Sequence, residues 1–269
     1  MLQKEIDYDP LKGRLGRFVA RSVWRRRLFF AALGALFLRE WHVKKALRKL
    51  SHKRNSWKIL DAGMGFGQYT HFMARHFPNA TILGIDVKRE QIEDARWFAA
   101  RVGDVRCTFE YADLTEFRQP DTFDLALSVD VMEHVLEDEK VFANIFVSLR
   151  TGGYFLVGTP TASESKAAEF HSVVGEHVRE GYSESEFRQK LERAGFHILS
   201  MKRTYGPWGG IAWKLLQRIP MRIQNMSKLF LPLLVPYYII AYLPAAFCMM
   251  MDVRCENQRG GGWLVLAQK

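Results

Sequence analysis

A chain of 269 residues with 48% hydrophobic and 25% charged side chains has room for one large α/β domain or two small ones, with a substantial core. Its three cysteines, Cys107, Cys248 and Cys255, are scattered and form no Cys-x-x-Cys pair, which argues against a disulfide framework or a zinc site and for a reducing compartment. The net charge of +10 is concentrated: residues 1–56 hold 15 Lys and Arg against 4 Asp and Glu, the remainder 24 against 25, so only the N-terminal fifth asks for an anionic partner, nucleic acid or lipid headgroups.

In chain order, residues 14–50 carry a helical rhythm. Arg14, Arg17, Arg21 and Arg25 recur along one face, with Leu15, Val19 and Val23 on another. The apolar run Leu28 to Leu38 spans 11 residues behind a long charged lead, so no secretory signal is expected. Val43, Leu47 and Leu50 then share a face opposite Lys44, Lys45 and Lys49. Two readings fit this stretch. One is an ordinary surface helix with a solvated basic side. The other is a basic amphipathic segment lying on an anionic membrane, where each cation near the surface is worth about 1 kcal/mol.

From Trp57 the rhythm changes. WKILDAG and ATILGIDV are short apolar runs ending in Gly or Asp, as buried parallel strands do, and QYTHFMARHF between them is a helix-length piece stopped by Pro78. KREQIEDARWFAARVG (helix), VRCTFEYAD and TFDLALSVD (strands), EDEKVFANIFVSLR (helix) and GGYFLVGTP (strand) follow. Ser183 and Glu186 have capping-box spacing for a further helix, and FHILSMKRTYG and GGWLVLAQK read as the last strands. The alternation predicts a doubly wound, mostly parallel seven-stranded sheet with helices on both faces. Residues 1–56 form a basic helical extension, 57–205 the core, 206–258 an apolar insertion and 259–269 the last strand of the core.

The most informative segment is DAGMGFG, residues 61–67, directly after a strand and opening a helix. Gly63, Gly65 and Gly67 let the backbone turn tightly and approach a ligand without Cβ interference. The dinucleotide register G-x-G-x-x-G fails here, because its third glycine would fall on Gln68. A carboxylate at the head of the loop, Asp61, repels a pyrophosphate but tolerates a cationic amino-acid moiety. Asp86 ends the next strand, 19 residues after Gly67, where an acid accepts hydrogen bonds from ribose hydroxyls. Asp113 ends the third strand, at the rim.

DAGMGFG, GID, YADL and DLALSVDVMEHV, in this order and spacing, resemble class I S-adenosylmethionine-dependent methyltransferases, and most nearly the subgroup that includes quinone-biosynthesis enzymes. The resemblance covers roughly Trp57 to Phe196 and resumes in the terminal strand. It implies S-adenosylmethionine as cofactor, with Gly63, Gly65 and Gly67 against its methionine part, Asp86 on the ribose, and Asp113 with Leu114 on the adenine. Asp130 would stand near the methyl-transfer mouth, and Asp61 behind the loop, orienting it or the cofactor's amino group. The bland alternative for each carboxylate is a strand-end residue that caps a helix.

A hydroxyl or activated-carbon acceptor calls for a general base, and histidine is the type most readily tuned to neutral pH. His177 is the first choice and His134 the second, with His171 nearby; Tyr69 and Tyr182 are further pocket candidates. Glu133 and His134 equally suit a role bracing their loop. Oxygen or carbon transfer is preferred, because the Asn-Pro-Pro-Tyr type of run common in base and amide N-methylation is replaced by Ser128-Val129-Asp130-Val131.

Near the C-terminus, residues 229–251 contain no charge but three prolines, Pro232, Pro236 and Pro244. About 20 apolar residues suffice to cross a bilayer. Yet the flanking strands must return to one sheet, which forbids a single crossing, and the run is too short for two. Its prolines divide it into pieces prone to kink or break. The expectation is a hairpin or in-plane structure dipping into one leaflet, or a lid over the site; a buried extra helix pair is the bland alternative. Ala212, Leu215 and Leu216 with Arg218, Arg222 and Lys228 look amphipathic too. The chain as a whole therefore reads as a monotopic methyltransferase at the cytoplasmic face of a membrane, with a hydrophobic small-molecule or lipid substrate and an anionic membrane surface as partners. Nucleic acid is disfavoured as partner, though a nucleic-acid methyltransferase using the basic arm, a non-enzymatic cofactor-sensing scaffold, and transfer of a group other than methyl remain as alternatives.

Overall fold

In the computed structural model, which describes residues 22–162, 178–226 and 232–269, seven strands form one sheet. They are β1 (Trp57–Ala62), β2 (Ala80–Asp86), β3 (Cys107–Tyr111), β4 (Phe123–Val129), β5 (Leu149–Pro160), β6 (His197–Thr204) and β7 (Gly262–Gln268), in the spatial order β3-β2-β1-β4-β5-β7-β6. The first five pair in parallel, and β7 inserts antiparallel between β5 and β6. The doubly wound prediction is met. Side-chain alternation gives the sheet two apolar faces: on β4, Leu125 and Leu127 pack on one side and Ala126 on the other, while a register shift after Phe123 turns that ring to the side of Ala126.

Among the described residues two helices precede the sheet, α1 (Val23–Leu36) and α2 (Leu38–Ser51). The single helical rhythm breaks at Phe37, whose extended backbone (φ −110°, ψ 114°) separates them. Val43, Leu47 and Leu50 of α2 are fully buried and join Trp57, Ile59, Met73 and Phe77 in one core cluster. This corrects the amphipathic-membrane reading of α2: its apolar face is sealed against the sheet, and only its basic side turns outward.

α3 (Gln68–His76), α4 (Arg89–Val102), α5 (Asp138–Ser148) and α6 (Glu184–Arg193) flank the sheet. The Ser183 hydroxyl caps α6 by accepting from the Glu186 amide at 3.2 Å. The Glu186 carboxylate faces Lys190 and Arg179 (3.2 and 3.7 Å), so the box is held by its serine half.

The connection from β6 to β7 begins and ends on one rung of the ladder, where Thr204 faces Gly262, and Gly262 in turn faces Pro160 on β5. The insertion therefore leaves and returns at the edge where the parallel strands end. It contains α7 (Pro207–Trp213), a π-helical turn (Lys214–Arg218), α8 (Ile219–Met226) and α9 (Leu234–Arg254).

Here the reading of the prolines is corrected. Across 21 residues α9 is one continuous helix, not a string of pieces. Pro236 sits in its first turn, where the amide has no intrahelical acceptor to lose, and Pro244 lies on the exposed side. The opposite side holds the helix in place: Ala245, Cys248 and Met249 pack with Leu38, Ala212 and Leu216. The cost of a third proline, Pro220 in α8, is met from α9. Pro220 has no amide to offer the preceding turn, and the Leu215 and Leu216 carbonyls accept from the Tyr237 and Tyr238 hydroxyls at 2.7 and 2.9 Å. The outer side of α9 is apolar and open, with Val235, Ile239, Ile240, Leu243 and Phe247 all exposed. The buried-helix-pair alternative thus holds for one face only. By length and composition α9 could cross a membrane.

Candidate active site

The glycine loop joins β1 to α3. Gly63, Gly65 and Gly67 all have positive φ (76°, 55° and 76°), the left-handed region that disfavours other residues. A Cβ on Gly63 would lie 2.4 Å from Val131 Cγ2, whereas one on Gly65 would meet only Gln91 Oε1 at 3.9 Å, so the middle of the loop is open on its outer side.

Asp61 is buried behind the loop, and the Thr70 hydroxyl of α3 donates to its Oδ2 at 2.5 Å. Burial pushes its carboxyl up to about 7 against the opposing pull of that hydrogen bond, with Asp86 adding repulsion. Asp86 closes β2: its Oδ2 accepts from the Gly65 amide (3.0 Å) and its Oδ1 from the Lys88 amide (2.9 Å). The acid predicted for the ribose thus also fixes the loop.

Asp113 lies two residues beyond the end of β3, not at its end. Its Oδ1 accepts from the Thr115 amide and hydroxyl (2.8 and 2.9 Å), and the next residue, Leu114, is buried. The strand is shorter than the sequence suggested because an aspartate in an Asx turn offers the backbone an alternative to the ladder.

Past β4, the 3-10 turn Met132–His134 carries Glu133 buried and His134 half-buried. His177 and His171 lie outside the described residues. Tyr182 is fully buried, its hydroxyl donating to Asp138 Oδ2 at 2.6 Å, and Tyr69 is buried as well.

Two residues that the sequence reading passed over complete the site, both from the N-terminal helices. Arg26 of α1 is buried and donates to the carbonyls of Phe66 in the glycine loop (2.8 Å) and Asp94 on α4 (3.1 Å). Arg39 of α2 reaches the ends of the strands, donating to the Thr159 and Trp263 carbonyls (3.1 and 3.2 Å) and pairing with Asp130 Oδ1 at 3.1 Å. The Tyr205 ring lies 5.6 Å from its guanidinium carbon, and the Tyr205 hydroxyl accepts from the Arg39 amide.

Asp130 and Tyr205, on either side of this arginine, both have positive φ (54° and 58°), which for a tyrosine is a genuine outlier held by its surroundings. Burial alone lowers the Arg39 pKa, but Asp130, Tyr205 and Glu133 outweigh it and keep the group charged. Burial, then Asp130, raises the Glu133 carboxyl, whose Oε2 accepts from the Thr159 hydroxyl at 3.2 Å. Arg39 had a local signal. Arg39 stands four residues before Val43 and eight before Leu47, a charge on the buried stripe of its own helix.

A family of methyltransferase domains matches residues 53–200, more than half of the chain, from just before β1 into β6. The chain belongs to the class I methyltransferases. The methyltransferase is 31% identical to a phosphoethanolamine N-methyltransferase of Triticum aestivum over 152 residues, 55% of this chain and 29% of that one. It is 27% identical to the sterol 24-C-methyltransferase of Candida albicans over 162 residues, 55% of this chain and 43% of that one. The chain therefore spans about a third of the plant relatives, from 29% to 33% of their length. Among solved structures, the Haemonchus contortus phosphoethanolamine N-methyltransferase 2 in complex with S-adenosyl-L-methionine has a TM-score of 0.61 at 18% identity, covering 95% of this chain and 60% of that one. An S-adenosylmethionine-dependent methyltransferase from Mesorhizobium loti has a TM-score of 0.54 at 21% identity, covering 86% and 98%. At these identities the likeness is one of fold.

S-adenosylmethionine is the cofactor of this methyltransferase family. The residues present fit it: the loop is open at Gly65, Asp86 stands beside that opening, and the buried Gln68 Oε1 at the head of α3 has no hydrogen-bond donor from the described chain.

Proposed function

We propose that the protein is a monotopic S-adenosylmethionine-dependent methyltransferase at the cytoplasmic face of a membrane, acting on a lipid-like, quinone or isoprenoid acceptor. One observation carries this reading. The insertion that bears the exposed apolar side of α9 is rooted, at Thr204 and Gly262, on the same edge of the sheet as the glycine loop, Asp86 and Asp130. An apolar surface of that size on a single chain marks an interaction site. Its place at the ligand-binding edge ties it to the acceptor.

The cofactor supplies an electrophilic methyl group. The chain's own part is to hold and orient. Gly63, Gly65 and Gly67 would give the cofactor backbone access, Asp86 would accept from its ribose and Asp113 and Leu114 would flank its adenine, while Asp61 braces the loop through Thr70. At the mouth Arg39 positions Asp130, and Glu133 keeps its proton more tightly than an ordinary carboxyl. For an oxygen or carbon acceptor His177 serves as base, with His134 the second candidate. Methyl transfer to an amine is the second reading, favoured by the phosphoethanolamine N-methyltransferases among the relatives.

Titration calorimetry with S-adenosylmethionine tests the cofactor site. Asp86→Ala is expected to weaken binding at least tenfold, about 1.4 kcal/mol, and unchanged affinity would remove Asp86 from the site.

A further inference from the structure

A cleft of about 500 Å3 opens between α2 and the C-terminal end of α9, away from the strand-end site. Its polar walls are Lys44, Lys45, Arg48 and Arg254, and no acidic side chain lines it. Lys44 is paired with Glu40 at 2.6 Å, and Arg48 lies over the Phe72 ring. Lys45 donates to the Val253 carbonyl at 2.6 Å, which leaves two of its three protons unused. Among the described residues no carboxylate is within ion-pair distance of Lys45, Arg48 or Arg254. Burial, then repulsion from Lys49, Lys202 and Arg254, lowers the Lys45 ammonium, as expected for a cationic cluster without its counter-charge.

The apolar walls tie this cleft to the exposed side of α9. Leu243, Phe247, Met250 and Arg254 follow at spacings of four, three and four, so they share one helix face. Leu243 and Phe247 are exposed, and Met250 and Arg254 line the cleft. At 1.5 Å per residue the step from Leu243 to Arg254 is roughly 16 Å, about the distance from the acyl region of one leaflet to its phosphates. Apolar stripe and basic cleft therefore meet a leaflet at the two depths that suit them. Trp41 also lines the cleft, and tryptophan is a residue type favoured at membrane–water interfaces.

We infer that this cleft binds the phosphate of an anionic phospholipid while the outer side of α9 sits in the same leaflet. The inference rests on the membrane reading above and adds to it a defined headgroup site. The helix α2 that supplies Lys44, Lys45 and Arg48 also supplies Arg39 to the mouth, so the seated headgroup and the acceptor site share one rigid element.

The test is flotation of the full chain with vesicles of phosphatidylcholine alone and with vesicles in which part of it is replaced by phosphatidylglycerol. The wild type is expected to prefer the anionic vesicles by at least tenfold. Lys45→Gln/Arg48→Gln/Arg254→Gln should lose that preference and its salt sensitivity, yet keep binding to neutral vesicles through α9 and keep its affinity for S-adenosylmethionine. A control, Arg101→Gln/Lys140→Gln, should retain the preference. An unchanged preference in the triple variant overturns the site. So does abolition of the preference by inorganic phosphate at matched ionic strength, which would assign the cleft to a free phosphate. Equal flotation of the wild type with both vesicles defeats the headgroup site alone; flotation with neither defeats the membrane reading itself.

Discussion

Asp61 shows how one buried carboxylate links cofactor loop and stability. Its folded-state pKa, near 7, exceeds the ordinary 3.8, so the folded chain holds the proton more tightly than the unfolded chain does. The associated stability is present in full below about pH 4 and is lost as the pH rises through 7. Asp61→Asn keeps an acceptor for Thr70 and removes the titration. Between pH 5 and 8 the melting temperature of the wild type should fall relative to that of the variant; parallel curves would show that Asp61 is ionised throughout. Arg39 is the other decisive residue. Arg39→Met strips Asp130 of its cation and the Thr159 and Trp263 carbonyls of their donor. The loss is expected at about 3 kcal/mol, the lower end for breaking a buried pair because Asp130 is about half exposed. At this chain length that is roughly 6–12 °C by thermal melting, and a shift under 2 °C would deny Arg39 its structural part.

Among the elements, strands and their terminal acids were legible because each is announced by a few neighbouring residues: an apolar run, then Asp or Gly. Asp86 emerged this way. Arg39 did not, since its partners are 120 and 224 positions away, and only its place on an apolar stripe hinted at burial. The prolines misled for a related reason. Proline costs a helix what its missing amide would have supplied, and that depends on where the freed carbonyls turn. In the insertion two of them turn to Tyr237 and Tyr238 of another helix, which no local pattern announces. Tyr237→Phe/Tyr238→Phe is expected to cost about 1 kcal/mol for each lost bond, visible as earlier melting or as faster proteolysis between α8 and α9. A variant as resistant as the wild type would mean that these carbonyls find other donors.

At the scale of the molecule, two additions surround an architecture of alternating strands and helices. The N-terminal helices send Arg26 to the glycine loop and Arg39 to the strand ends, and α9 packs on α2 through Leu38 and through the 2.8 Å contact of His42 with Asp252. Extension, catalytic edge and apolar helix are thus one connected body. The sheet order could be anticipated from the rhythm of the chain, whereas this connection could not, because it depends on which buried charges face one another after folding.

The central claim is methyl transfer to a membrane-borne acceptor, and it is tested most directly by incubating the protein with methyl-labelled S-adenosylmethionine and a fractionated membrane extract. Label should appear in a species that partitions into organic solvent, and Asp86→Ala should reduce it at least tenfold. Label confined to nucleic acid or water-soluble products, from a protein that binds the cofactor normally, would contradict the account.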